Sequence, residues 1–245
     1  MASFAGPNLI KDNLAFLYDA ANTESYPGSG NFWYDLHGGR GKHDASFRTS
    51  GNSLTTLSSS TDNKGILILS GSKWIRINSL RDEWSNRQKD YTFQIWCRPN
   101  YTLDGTRGNV LLSFHEDGTN RMRWQVKSNA VFAGGAPLSS TEKTFTHKQL
   151  ASGEWHFYTM VGDYGSNKCF WYLDTELVGS QNMNATDAKK RFNPINRVSI
   201  GQEWDAGGTS EFFEGAMSLF VGYNTALTES QVKQNYHAYK GRFGL

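Results

Sequence analysis

Short apolar stretches with a two-residue period punctuate this chain from Leu14 to Tyr223. Tyr91-Thr-Phe-Gln-Ile-Trp-Cys-Arg98 shows it most clearly. Tyr91, Phe93, Ile95 and Cys97 fall on one side, Thr92, Gln94, Trp96 and Arg98 on the other, and Pro99 ends the run. The same pattern predicts strands over Leu14–Asp19, Phe32–Leu36, Gly65–Leu69, Trp74–Ile77, Val110–His115, Arg121–Lys127, Trp155–Val161, Lys168–Leu173, Arg197–Trp204 and Phe212–Tyr223. Glu116-Asp-Gly-Thr-Asn120 and Gly162–Asn167 read as hairpin turns, and Ser70–Lys73 as a third. In the last strand Met217, Leu219 and Val221 alternate with Ala216, Ser218, Phe220 and Gly222.

The period changes once. After Asn224, Val232, Asn235, Tyr236 and Tyr239 recur at helical spacing, with Thr228 and Gln231 placed as a reciprocal capping pair and Gly241 as the stop. This is expected to be the one substantial helix. Val232 and Tyr236 are expected to pin it, and Thr228 to start it. Many short strands without a βαβ rhythm predict an antiparallel sandwich or barrel. Residues 1–13 read as a lead-in and 14–245 as a single β-sandwich domain.

Composition supports an ordered core. Of 245 residues 14% are aromatic, including 8 Trp, and 25 Gly supply turn positions. The formal charge is only +2 and the basic residues are scattered singly, so no nucleic-acid partner is expected. Cys97 and Cys169 are too few for a disulfide framework and read as buried small hydrophobes. Met-Ala-Ser-Phe-Ala-Gly-Pro7 lacks the pattern of a signal peptide, and no stretch has membrane-spanning length. The expectation is synthesis in a cytoplasm, with no membrane insertion.

Several motifs together resemble a known family. They are Trp155-His156 opening a strand, Trp171-Tyr172-Leu173-Asp174, Phe213-x-Gly215-x-Met217-Ser218, and Tyr223-Asn224-x-Ala226-Leu227-Thr228. They resemble the laminin-G-like branch of the concanavalin A-like jelly rolls. The resemblance runs from Leu14 to Leu245 and implies an all-β jelly-roll sandwich of two antiparallel sheets with a short C-terminal helix. Thr175 departs from the pattern, standing where the family hairpin has Gly. The two ends, Leu17-Tyr-Asp-Ala-Ala-Asn-x-x-Ser-Tyr-Pro-Gly-Ser-Gly30 with Trp33-Tyr-Asp-Leu36, and Gln234-Asn-Tyr-x-Ala-x-Lys-Gly-Arg-Phe-Gly244, are similar to domains of tailed-phage (cyanophage-like) virion proteins.

What the resemblance implies is a non-enzymatic role at a virion surface, as capsid decoration or tail appendage. Its partners would be other capsid or tail subunits, a second copy of the chain as a homo-oligomer, and a host-surface polysaccharide. The alternative is a free-standing lectin-like carbohydrate-binding module. A glycoside hydrolase is more distant, because Glu203-Trp-Asp205 is followed by Gly208 where such enzymes carry the acid. No cofactor is expected other than a structural Ca²⁺, whose candidate ligands are Asp19, Asn22, Asp35 and Glu214. Trp84 and Trp204, beside polar loops, are expected at a contact surface, with Asp205 and Tyr164 as further ligand-binding candidates. His37 and His43 lack zinc spacing, and no nucleophile elbow or phosphate loop is present.

Overall fold

The computed structural model describes residues 7–39, 41–60, 64–84, 88–101, 109–115, 121–135, 143–183, 197–205 and 208–245. Two antiparallel sheets stack face to face. In the first, the order is β14 (Glu176–Asn182), β13 (Lys168–Leu173), β12 (His156–Asp163), β7 (Tyr91–Pro99), β18 (Gly215–Tyr223), β5 (Ile66–Leu69) and β4 (Ser58–Ser60), with β1 (Leu14–Asp19) also paired to β18. In the second it is β11 (Lys143–Thr146), β10 (Ala130–Gly135), β9 (Arg121–Lys127), β8 (Asn109–His115), β15 (Arg197–Ile200), β6 (Trp74–Arg76), β3 (Ala45–Arg48) and β2 (Phe32–Trp33). A small ribbon, β16 (Glu203–Asp205) with β17 (Gly208–Ser210), stands apart from both. One turn of helix, α1, spans Arg81–Trp84, and the main helix, α2, spans Glu229–Tyr239.

Between the sheets lies one hydrophobic core, to which Phe16, Phe47, Ile75, Phe93, Trp124, Trp171 and Phe220 belong. A second cluster lies on the other side of the first sheet, beneath α2 and the residues that follow it. There Trp96 stacks on Phe243 at 4.3 Å and on Tyr236 at 5.4 Å, and Trp155 meets Phe243 at 4.6 Å. Burial on both sides explains why every residue of β18, and every residue of β7 except Arg98, is buried. Packing also buries Trp84 and Trp204, which were expected at a contact surface. All eight tryptophans are at most 7% accessible.

β18 departs from the alternation read in the sequence. Met217 and Phe220 join the inter-sheet core, whereas Ala216, Leu219, Val221 and Tyr223 join the helix side. A bulge between Met217 and Leu219 reverses the phase, since one extra residue exchanges the two faces of everything beyond it. The bulge falls where β18 changes partner, from β5 at Gly215–Met217 to β1 at Leu219–Tyr223. Ser218 at that point donates to the Lys64 carbonyl.

Three other expectations change. The segments Gly65–Leu69 and Trp74–Ile77 do not form a hairpin, because β5 belongs to the first sheet and β6 to the second. The chain arches across the core through Gly71 (φ 53) and Ser72 (φ 64). Arg197–Trp204 is broken at Gly201 (φ 81), which separates β15 from β16. Gly241 does not stop the helix. The chain continues as a 3-10 turn over Lys240–Phe243, and the left-handed residue is Gly244 (φ 77).

One of the two remaining turns is seen. β12 and β13 form the expected hairpin, with Asn167 at φ 59. The proposed turn at 116–120 lies outside the described residues, although β8 and β9 pair on either side of it. At the β13–β14 hairpin, positive φ falls on Asp174 (φ 57), which relieves Thr175 of the glycine role. Asp174 accepts from the Phe157 amide at 2.8 Å and contacts His156 Nδ1 at 3.0 Å, binding this hairpin to the Trp-His strand. Cys97 and Cys169 are buried free thiols, the latter pushed up to about 12 by burial.

The helix is held as expected and by more than expected. Thr228 Oγ accepts from the Gln231 amide while Gln231 Oε1 accepts from the Thr228 amide. Val232 is fully buried and Tyr236 is half-buried. Asn235 is buried too: its side-chain amide donates to Gln94 Oε1 at 2.7 Å and Tyr223 Oη at 2.9 Å, and its carbonyl accepts from the Ile10 amide at 2.9 Å. The lead-in is thereby tied to the helix from Asn8 onward, since Gln234 donates to the Asn8 carbonyl.

Candidate functional site

With α2 covering the outer side of the first sheet, the outer side of the second is the sheet face left for a ligand. Antiparallel partners directly opposite each other point to the same side. One transverse row therefore runs Phe32, Ser46, Arg76, Ser199, Ser113 and Arg123 across β2, β3, β6, β15, β8 and β9. The inward neighbours of this row, Phe47, Ile75, Val198, Phe114 and Trp124, belong to the core. Phe32 is 37% accessible and stacks on Tyr34 with centroids 6.3 Å apart.

Beside the row, Arg48 and Arg76 are oriented by one turn. The Asn52 carbonyl accepts from Arg48 Nη1 at 3.0 Å and its side-chain oxygen accepts from Arg76 Nη1 at 3.4 Å. Arg48 Nε also donates to Ser46 Oγ at 3.0 Å. Asn52 sits at φ 59, a left-handed conformation that asparagine tolerates better than most residues. The two arginines line a groove of about 320 Å³ with Gly41, Lys42, Asp44, Ser46 and Ser79. Partial burial lowers the Arg76 pKa, and the neighbouring charges of Arg48 and Arg197 lower it further. No carboxylate is paired with Arg48, Arg76 or Arg197 among the described residues.

The β16–β17 ribbon packs on this face against residues of β6, β15 and β9, where Trp74, Ser199 and Ser113 are fully buried, so the open part of the face is the β2–β3–β6 end. Trp204 meets Trp74 edge-on at 5.1 Å, and the Arg197 guanidinium lies over the Trp204 ring at 4.5 Å. Glu203 is 1% accessible and forms an ion pair with Arg123, which also holds Glu211 at 2.7 Å. Gln125 donates to the same Glu211 carboxylate at 2.8 Å. A guanidinium bridging two carboxylates holds the ribbon against β9 and occupies Glu203. Asp205 ends β16 and pairs in register with Gly208, and its side chain lies outside the described part of the structure.

The site residues read from the sequence do not gather in one place. Trp84 is fully buried in the inter-sheet core, edge-on to Phe93 at 5.0 Å, so it presents no contact surface. Trp204 is buried between Trp74 and Arg197, so its ring is also covered. Tyr164 packs partly buried at the rim of the core, away from this row, with its amide donating to Asp90.

The calcium candidates do not fit a cation. Both Asp19 oxygens face the Arg242 guanidinium, and Oδ1 also caps the Ala21 amide. Asp35 is buried with its oxygens accepting from the Leu17, His37 and Gly38 amides. Asn22 closes an Asx turn on Glu24, and Glu214 stands exposed before β18. Among the described residues no three metal-ligating side chains converge.

Phe32, Asn52, Arg48, Arg76 and Arg197 were not legible as a site from their spacing. The available signal was a cation in the polar phase of several unrelated strands, and only the strand order brings those positions together.

The chain matches the family Laminin_G_3, described as the concanavalin A-like lectin/glucanases superfamily, over residues 69–233. No curated protein sequence matches it. Among solved structures it is similar to domain 4 of AbnA, a GH43 extracellular arabinanase from Geobacillus stearothermophilus in complex with arabinotriose. That pair has TM-score 0.63 and 17% identity, covering 91% of this chain and 98% of that one. It is also similar to botulinum neurotoxin type C, whose cell entry depends on interaction with two ganglioside molecules (TM-score 0.63, 9% identity, 92% of this chain and 51% of that one). A sialidase from Trypanosoma rangeli aligns with TM-score 0.63 and 12% identity, over 96% of this chain and 34% of that one. The chain thus spans about half of the neurotoxin chain and a third of the sialidase. At these identities the likeness is one of fold, a lectin-like jelly roll. The match over most of the chain places this protein in the Laminin_G_3 family of the concanavalin A-like lectin/glucanase superfamily.

Proposed function

We propose that this chain is a non-catalytic carbohydrate-recognition domain that binds a saccharide along the outer side of its second sheet. The observation that carries the reading is the transverse row. At its open end an accessible aromatic ring, Phe32, lies on the same side of the sheet as the oriented Arg48 and Arg76, whereas Ser46, Ser113 and Ser199 are buried. Sugars stack their apolar C–H sides on such rings, and guanidinium groups fix their oxygens. The arabinotriose bound by the AbnA domain and the gangliosides on which the neurotoxin depends support a saccharide as the ligand class. The pairing of Glu203 with Arg123 favours recognition over hydrolysis, because a nucleophile or acid needs a carboxylate that is free to react. A glycan array tests the reading. Binding that Phe32→Ala weakens without changing the melting temperature supports it; an array blank at high protein concentration contradicts it.

The setting we propose is a virion surface, as capsid decoration or tail appendage, with other virion subunits or a second copy of this chain as protein partners. Its support is the similarity of the two chain ends to tailed-phage virion proteins. Stoichiometric copurification with intact particles is the expected result, and recovery of the protein only free in lysate would contradict it.

A further inference from the structure

We infer that the saccharide recognised by this domain is acidic, with a carboxylate or sulfate group seated between Arg48, Arg76 and Lys42 in the groove beside Phe32. The inference rests on the carbohydrate reading above and narrows it to a chemical class. Among the described residues three cations and one carboxylate, Asp44, line the groove. Asp44 Oδ2 accepts from the Gly41 amide at 2.9 Å and its single charge offsets only one of the three cations, which leaves the lining net positive. Arg48 and Arg76 come from adjacent strands and are held by the same residue, Asn52, which fixes the separation and direction of their guanidinium groups before any ligand arrives. Arg197, on the next strand, adds to the field at Arg76.

Keeping three like charges around a single carboxylate is unfavourable, and an incoming anion relieves it. A planar guanidinium pair suits the paired oxygens of a carboxylate or sulfate, each held by charge-assisted hydrogen bonds. Phe32 lies opposite Ser46 on the edge strand, two strands from Arg76 with Ser46 between them. A pyranose ring over Phe32 could therefore direct its acidic substituent toward the groove. A neutral sugar would stack on the ring and leave the cations unmet.

The test is calorimetric titration of the whole chain with five probes. These are a galacturonic acid hexamer, a chondroitin sulfate hexasaccharide, sialyllactose, a neutral arabinan hexamer and sodium sulfate. At least one acidic probe is expected to bind, with affinity that falls as salt is raised. Arg76→Gln should weaken it by about tenfold or more, the loss expected for one charged hydrogen-bond partner. Lys42→Gln, at an exposed position, should weaken it less while leaving the melting temperature unchanged. The carboxylated and sulfated probes separate the two sources of charge. Equal binding of neutral and acidic saccharides would overturn the acidic preference and leave the carbohydrate reading intact. Sulfate binding as tightly as any saccharide would also overturn it, in favour of a small-anion site. Failure of every saccharide would remove both.

Discussion

Asp19, at the end of β1, and Arg242, in the 3-10 turn after the main helix, meet through two parallel hydrogen bonds, Nη1 to Oδ1 at 2.7 Å and Nη2 to Oδ2 at 2.8 Å. Each residue belongs to one of the two end motifs picked out in the sequence, so the pair joins the two motifs. Both side chains are mostly shielded, at 10% and 18% accessibility. Removing one partner leaves the other charge without compensation. Arg242→Ala and Asp19→Asn should each cost about 2 kcal/mol or more in urea unfolding. The double variant should cost clearly less than the sum, and strict additivity would show that the pair is not coupled.

Asn235 joins helix, sheet and lead-in through three hydrogen bonds. Asn235→Ala would strand Gln94 Oε1 and the Ile10 amide, an expected loss of about 2–4 kcal/mol. Replacing Val232 and Tyr236 together with Ser should lower the melting temperature by removing apolar burial on the same helix. An unchanged melting temperature in both variants would mean that α2 is peripheral.

Most of the architecture was legible in the sequence because strands buried on one or both sides leave a period-two or all-apolar trace. The capped helix was legible because Thr228 and Gln231 satisfy each other locally. What was not legible depends on contacts remote in sequence. Nothing near Ser218 signals a bulge, since its cause is the handover of β18 from β5 to β1. Trp84 and Trp204 neighbour polar loops yet lie buried, because tertiary packing and not sequence context decides their exposure. Arg48, Arg76 and Arg197 look like isolated surface charges until β3, β6 and β15 are set side by side.

Gly215 starts β18 at φ 141, a region open to glycine and strained for other residues. A Cβ there would run into the Arg98 carbonyl oxygen of β7, and that neighbour is backbone. Gly215→Ala should therefore destabilise by about 2 kcal/mol or more, as measured by denaturant midpoint. A change within experimental error would show that the strand end can rotate away.

His43 is buried, which lowers its pKa; Lys42 adds to this, while Asp35 and Glu83 oppose it. In the unfolded chain its pKa is about 6.5. The folded state thus binds protons less readily, so the contribution to stability is complete above that value and is lost as pH falls below it. His147 is shifted in the same direction, chiefly by burial. The melting temperature should fall between about pH 7 and about pH 5, and the fall should be shallower in His43→Gln. An identical profile in the variant would assign the acid sensitivity elsewhere.

Amide chemical-shift mapping with a bound oligosaccharide tests the central claim, that the outer side of the second sheet is the recognition surface. The expected perturbations centre on Phe32, Ser46, Arg48, Asn52 and Arg76 and leave α2 unaffected. Perturbations centred on α2 and the Trp96 cluster, with that row silent, would contradict it.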